Sequence, residues 1–173
     1  MTTIPDVPPE MSGDGFSLPE GTIVSSLAQD GGLVWLLCQD PTQHTSCILA
    51  TAASDESTFQ VTPLLKNTFS LREHIASEWG IAASARTLCN DRYALVYPPF
   101  ACRCLTGLIG LPPRHIADFL NNAIRLCTPL GLMHQQGLVH GDIKPASFFI
   151  NGEGEYRLAG FGRPGRIEPA PDE

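Results

Sequence analysis

The sequence lacks a long apolar run and an excess of positive charge. No apolar run approaches the roughly 18 residues that a membrane-spanning helix needs, so we expect no transmembrane segment. The formal net charge of −7 argues against a nucleic-acid-binding or membrane-adhering surface, because both need clustered basic residues. Residues 1–10 contain neither a basic residue nor an apolar segment. We therefore expect no secretory signal and a cytoplasmic location.

The six cysteines are scattered along the chain, and no two of them form a C-x-x-C pair. A disulfide framework is not expected in a chain of this size without a secretory signal. Cys102 and Cys104 could supply half of a metal site, but no cluster of His or Cys completes it nearby. We predict reduced, mostly structural thiols and no metal site.

What the chain does contain is enough apolar sequence for one folded domain. Its 173 residues are 43% apolar and 17% charged, a balance typical of globular proteins. Residues 1–18 carry proline, glycine and acidic residues and are predicted to form a flexible lead-in. We divide the rest into a sheet-plus-helix part over 19–99, a part over 100–162 and a tail over 163–173.

The first half shows short apolar runs separated by turn residues, which predict an antiparallel sheet with one inserted helix. Thr62 followed by Pro63 resembles a helix start, so the helix is predicted over 62–79. Asn90-Asp91 is predicted to form a turn between the last two strands. The five predicted strands cover 23–27, 33–38, 46–50, 81–85 and 92–97.

The second half opens with the strongest amphipathic stripe of the chain, which predicts a helix over 116–133 with its apolar face in the core. Gly137 is predicted to end this helix. Two short apolar runs, 148–150 and 156–158, flank an Asn-Gly-Glu-Gly turn and predict a hairpin.

Between that helix and the hairpin, residues 138–147 read Leu-Val-His-Gly-Asp-Ile-Lys-Pro-Ala-Ser. A loop of this kind places Asp142 and Lys144 on the same side. The carboxylate can accept a hydroxyl proton, and the ammonium can neutralise charge on a moving phosphoryl group. The motif therefore indicates phosphoryl transfer.

The order of helix, His-x-Asp loop and hairpin resembles the eukaryotic-type protein kinase superfamily. Residues 132–145 and the Gly-Phe-Gly at 160–162 carry the resemblance. It implies an α+β, protein-kinase-like fold: a small antiparallel sheet lobe with one helix, then an incomplete helical lobe with the catalytic loop and a hairpin. It also implies ATP and magnesium as cofactors, Asp142 as the catalytic base, Lys144 on the phosphate and His140 as the residue that orients the loop.

The loop departs from the family pattern at three positions. Gly141 replaces the arginine that senses phosphorylation of the activation loop. Ser147 stands where the metal-binding asparagine is expected, and a hydroxyl is a weaker ligand for the cofactor's metal. Gly160 stands at the position of the aspartate that binds magnesium between the nucleotide phosphates. These changes argue against bound ATP and magnesium.

The first half departs further. Residues 29–33 do not form a glycine-rich loop of the G-x-G-x-x-G type. Thr51 lies where the nucleotide-pairing lysine belongs, and Glu73 or Thr68 falls at its glutamate partner's position. Only eleven residues follow Gly162 (163–173), which corresponds to a truncated activation-segment-like tail.

The leading hypothesis is a degenerate kinase-like domain that acts as a regulatory or interaction module in bacterial signalling. The chain is similar to the kinase-like domains that begin large bacterial sensor histidine kinases. Its implied partners are other domains of the same signalling protein. The alternative is an active Ser/Thr protein kinase within a longer chain, with Asp142 as base. A small-molecule phosphotransferase also uses a His-Gly-Asp loop, but the Lys144-Pro145 continuation favours the protein-kinase side.

Overall fold

The first half of the chain forms a five-stranded antiparallel sheet. A computed structural model describes residues 21–100, 103–109, 115–161 and 165–166. The strand order is β1-β2-β3-β5-β4. The predicted strands 23–27, 33–38, 46–50 and 92–97 are confirmed, each within a longer or equal strand. The sheet strands are β1 Ile23–Asp30, β2 Leu33–Asp40, β3 Thr45–Ala52, β4 Ala85–Cys89 and β5 Arg92–Tyr97.

The inserted helix, α1, spans Asp55–Ser70, so the prediction over 62–79 was wrong at both ends. Ser54 caps it, and the side chains of Ser54 and Ser57 each accept a hydrogen bond from the other residue's backbone N–H. Pro63 lies inside the helix, on its exposed side. The carbonyl of Phe59, which loses its partner there, also lies on the exposed side, where water can replace the missing N–H.

The prediction of a strand over 81–85 was also wrong, because this segment crosses between two sheets. The backbone N–H of Ile81 donates to the carbonyl of Leu158, and that of Ser84 donates to the carbonyl of Val96. Regular pairing begins only at Ala85. The predicted turn that follows is confirmed, with Asn90 and Asp91 both at positive φ, as a type I′ hairpin turn requires.

The second half contains one long helix, α2, spanning Ile116–Gln135. Gly137, at φ 71°, follows its end as predicted. The predicted hairpin is confirmed, because β8 and β9 pair antiparallel. β6 joins this hairpin to make three strands, and β7 pairs with β10. The short strands are β6 Arg103–Cys104, β7 Leu138–Val139, β8 Phe148–Ile150, β9 Tyr156–Leu158 and β10 Gly165–Arg166.

The apolar stripe of α2 does not form a core along its whole length, which corrects the prediction. Only its last turns pack inward, where Pro129 and Met133 are buried. The first half of the stripe faces outward and leaves four large apolar side chains more than half exposed: Ile116, Phe119, Leu120 and Ile124. A periodic stripe predicts an apolar face, but it does not supply the element that would cover that face.

Two packed clusters join the sheet, the helices and the hairpin, and a third lies on the opposite face of the sheet. The first lies between the sheet, α1 and the hairpin and includes Trp35, Leu65 and Phe149. The second surrounds Trp79 and Phe161 and includes the end of α2. The α+β class is thus confirmed, and the sheet with α1 is compatible with a kinase-like N-terminal lobe. The helical-lobe part of the prediction stays a prediction. In the described ranges, neither helix has the length and apolarity that a membrane crossing requires.

Candidate functional site

The loop at 140–147 is held by hydrogen bonds from its own residues. The Ser147 hydroxyl donates to the carbonyl of Asp142 at 2.9 Å, and the Ser147 N–H donates to the carbonyl of Lys144 at 2.9 Å. Gly141 has φ 76°, a backbone conformation that residues with a side chain rarely adopt. The side chain and the backbone of Ser147 therefore both fix the conformation of this loop.

His140 anchors the loop from beneath. It is 1% exposed, and its ring lies 4.6 Å from that of Phe161, centroid to centroid. Its Nδ1 accepts the N–H of Asp142 at 3.3 Å, which places the proton on Nε2, 3.2 Å from the carbonyl of Ala159. Burial lowers the pKa of His140, so the ring is held neutral.

The structure brings Asp142 and Lys144 into direct contact, as their spacing implied. Lys144 Nζ lies 2.5 Å from Asp142 Oδ2 and, on its other side, 2.6 Å from Oδ2 of Asp30. Partial burial alone would lower the pKa of Lys144, but the hydrogen bonds to Asp142 and Asp30 outweigh it and raise the pKa. Asp30 ends β1, so this ammonium links the sheet to the loop.

Sequence reasoning missed Asp30 as part of this site. In the sequence, Asp30 is only part of a segment that lacks the glycine-rich pattern. Its contact with Lys144 joins positions more than a hundred residues apart, and no spacing rule connects them. The positive φ values of Gly31 and Gly32, 53° and 82°, shape the tight turn that directly follows Asp30.

The space between the sheet and the hairpin is filled by aromatic rings. Trp35 on β2 lies 4.8 Å from Phe149 on β8 and 5.1 Å from Tyr97 on β5, measured between ring centroids. All three side chains are at most 2% exposed. The sequence did not predict that Trp35 packs against the hairpin. An apolar residue in a strand is expected to be buried, but the sequence does not identify the residues that it contacts.

Gly160 lies directly under Trp35. A Cβ atom built on Gly160 would lie 3.2 Å from Cζ2 of Trp35, and the glycine itself has φ 75°. A side chain here would meet both a strained backbone and the indole ring. The position where the resemblance expects a metal-binding aspartate is thus shaped for glycine.

Two of the three positions that the resemblance associates with an ion pair are buried threonines. Thr51 donates its hydroxyl to the carbonyl of Tyr93 at 3.0 Å, and Thr68 on α1 donates to the carbonyl of Phe161 at 2.8 Å. Glu73, the other candidate, lies outside α1 and pairs with its neighbour Arg72 at 3.0 Å. In place of an ion pair, α1 is tied to the Gly-Phe-Gly segment through a neutral hydrogen bond.

The side-chain oxygens at this site are those of the Asp30 and Asp142 carboxylates and of the Ser147 hydroxyl. Both carboxylates pair with Lys144, and the hydroxyl donates to the carbonyl of Asp142. No group of three or more His, Cys, Asp or Glu side chains is placed to hold a metal ion in the described part of the chain. The predicted roles of Asp142, Lys144 and Ser147 stay predictions. Cys102, which with Cys104 could supply half of a metal site, lies outside the described residues.

Part of the chain is similar in sequence to a protein kinase. A stretch of 68 residues is 34% identical to the serine/threonine-protein kinase ppk31 of Schizosaccharomyces pombe. The stretch covers 39% of this chain and 6% of that protein's length. No protein-family model matches the chain. The similarity supports a kinase-like relationship over part of the chain.

Proposed function

We propose that this chain is a degenerate kinase-like domain, a pseudokinase, that serves as a cytoplasmic regulatory or interaction module and does not transfer phosphoryl groups. Its partners are proposed to be other domains of the same bacterial signalling protein, by its resemblance to the kinase-like domains of large sensor histidine kinases. The proposal is supported by the packing between the sheet and the loop, by the partners of Lys144 and by the exposed face of α2.

The packing of Trp35 is the observation that carries the proposal. In protein kinases the nucleotide phosphates lie beneath the loop after the first strand, and magnesium binds an aspartate at the position of Gly160. Here the Trp35 indole lies against Gly160 and contacts Tyr97 and Phe149. A bound nucleotide would have to displace this buried indole. Truncation of a buried Phe or Trp to Ala costs about 3 to 5 kcal/mol, which gives the scale of the packing that the displacement would disturb.

The partners of Lys144 support the same conclusion. A lysine that contacts a phosphate must direct at least one of its three N–H donors at it. Lys144 instead lies between the carboxylates of Asp30 and Asp142. A phosphate would have to compete with both carboxylates for this ammonium and would meet their negative charge.

The exposed face of α2 supports an interaction role. Four large apolar side chains lie on this face: Ile116, Phe119, Leu120 and Ile124. Contiguous exposed apolar side chains of this size are typical of surfaces that contact another protein.

An active Ser/Thr protein kinase remains the second candidate, because the base and the lysine are side by side. The 2.5 Å contact of Asp142 with Lys144 is an arrangement that phosphoryl transfer can use. The partial similarity to a serine/threonine kinase favours the same reading. This candidate needs Trp35 to move and a magnesium ligand other than residue 160.

Nucleotide binding separates the two candidates. We expect the melting temperature of the chain to be unchanged by ATP or ADP, with or without magnesium, and we expect no transfer of labelled γ-phosphate. Asp142→Asn and Ser147→Ala are the matched variants. A magnesium-dependent stabilisation that either variant abolishes would overturn the pseudokinase proposal and favour the kinase.

A second measurement tests the interaction half of the proposal. Phe119→Asp in the complete signalling protein is expected to change its regulated output, because the substitution places a charge on the exposed apolar face of α2. Asn121→Asp, at an exposed position on the same helix, is the control and should leave the output unchanged. Equal outputs from both variants would contradict a contact at this face.

A further inference from the structure

Three cysteines meet on the face of the main sheet that is opposite α1. Cys38 lies on β2, Cys47 on β3 and Cys89 at the end of β4, and they share one cluster with apolar side chains such as Leu49 and Val96. The helix α1 packs against the other face through Val61 and Leu65. These thiols are therefore separate from the loop site and play no part in the proposed function.

Cys38 and Cys47 are directly opposite each other in the antiparallel pair β2–β3. Both side chains lie in the same buried cluster, so the two thiols face each other across the strand pair. Opposed residues have Cβ atoms about 4.5–5.5 Å apart, and a disulfide needs about 3.5–4.5 Å. An approach of about 1 Å therefore allows a bond between these two sulfurs.

We propose that Cys38 and Cys47 form a reversible cross-strand disulfide when the chain meets hydrogen peroxide. Both thiols are 2% exposed, and Cys89, at the edge of the cluster, is partly exposed. The oxidant class is therefore a small molecule rather than another protein's disulfide. The proposal goes beyond the proposed function and does not depend on it.

The proximity of the two thiols gives the two sulfurs different roles. The neighbouring Cys38 thiol lowers the pKa of Cys47, and the neighbouring Cys47 thiol raises the pKa of Cys38. Cys47 is thus the sulfur that more readily becomes a thiolate, the nucleophilic form. Cys38 keeps its proton and acts as the second thiol.

The chemistry balances in two steps. The Cys47 thiolate attacks one peroxide oxygen, the O–O bond breaks, and the released hydroxide takes up a proton to become water. The sulfur of Cys38 then attacks the Cys47 sulfenic acid, the S–O bond breaks, and the leaving hydroxyl departs as water with the Cys38 proton. Two thiols are oxidised to one disulfide, and one hydrogen peroxide is reduced to two waters.

Peptide mapping of the full chain tests the proposal. Neither lysine nor arginine lies between the two cysteines, but Asp40 does, so cleavage at aspartate places them on different peptides. The chain is treated with hydrogen peroxide while folded, then denatured in the presence of an alkylating agent and digested without reduction. We expect a linked pair of peptides that carries Cys38 and Cys47 and that separates when dithiothreitol is added.

Single variants identify the pairing. Cys38→Ser and Cys47→Ser should each abolish the linked peptides, whereas Cys89→Ser and Cys127→Ser should retain them. A linkage that joins Cys89 to either cysteine, or alkylation of both Cys38 and Cys47 while Cys127 is oxidised, would overturn the proposal. If a serine variant fails to fold, the map of the unaltered chain still decides between these outcomes.

Discussion

His140 uses its two ring nitrogens to tie the loop to Ala159, the residue that follows β9. One nitrogen accepts the N–H of Asp142, and the other faces the carbonyl of Ala159. A protonated ring would have no acceptor left for that N–H and would carry a charge in a buried site. The neutral form is therefore part of the folded structure.

This neutrality predicts how stability depends on pH. Burial lowers the pKa of His140 in the folded state, whereas the unfolded chain titrates near 6.5. Between these two values the unfolded state binds more protons. The contribution of His140 is complete above about pH 6.5 and decreases as the pH falls toward the lowered pKa, by at most about 1.4 kcal/mol per pH unit. Urea unfolding between pH 5 and 8 measures it.

The matched variants for this measurement are His140→Gln and His134→Gln. His140→Gln should lower the free energy of unfolding by about 1 to 3 kcal/mol at pH 8, because buried hydrogen bonds are lost. It should also remove the pH-dependent decrease attributed to His140. His134 is exposed at the end of α2, and its replacement should keep that decrease. A decrease of equal size in both variants would contradict the assignment to His140.

At the residue scale, spacing predicted a contact within the loop and missed the contacts that reach it from the sheet. Asp142 and Lys144 are two positions apart, so the loop alone brings them together. Asp30 and Trp35 reach the site only because β1 and β2 fold over it. The local sequence does not show that Asp30 and Trp35 lie close to the loop, because only the tertiary packing brings them there.

At the element scale, the start of α1 shows why a cap was missed. Ser54-Asp55-Glu56-Ser57 has serine at the third helical position rather than the glutamate or glutamine of the usual signature. Pro63 offered a competing start, because proline is common in the first turn. Four of the five sheet strands and the Asn90-Asp91 turn were predictable, since short apolar runs and turn residues are local signals.

Removal of the cap tests the element directly. Ser54→Ala should lower the free energy of unfolding by about 1 kcal/mol, because the N–H of Ser57 loses its side-chain acceptor. Ser54→Asp restores an acceptor and should stay close to the unaltered chain. Urea denaturation of the three proteins measures the difference. Equal losses in both variants would show that the helix does not depend on this cap.

At the scale of the whole molecule, the two halves are joined by several different contacts. The hydroxyl of Thr68 holds α1 to Phe161, and the backbone of Trp79 accepts from Leu158 on β9. Trp35 packs against Phe149 from the hairpin. The Asp30–Lys144 ion pair adds a charged contact at the outer edge of this interface. The apolar contacts supply most of the stability, since exposed ion pairs contribute at most about 1 kcal/mol.

The ion pair should nevertheless control the local opening of the turn between β1 and β2. Asp30→Asn removes the carboxylate from Lys144, and we expect amide exchange at Gly31 and Gly32 to become about two- to five-fold faster, the equivalent of about 0.4–1 kcal/mol. The global free energy of unfolding should change by less than about 1 kcal/mol. High salt should produce part of the same acceleration in the unaltered chain, because it screens the pair.

Asp55→Asn is the control for this last experiment. Asp55 is 98% exposed and lies 4.0 Å from Arg92, so its replacement removes an equal charge at a distance from Lys144. Exchange in the turn should be unchanged in this variant. Equal exchange rates in Asp30→Asn and Asp55→Asn would show that Lys144 does not hold the turn. Faster exchange in Asp30→Asn alone would show that Lys144 holds the turn between β1 and β2 against the loop. The contact between Asp30 and Lys144 would then compete with any phosphate for the ammonium.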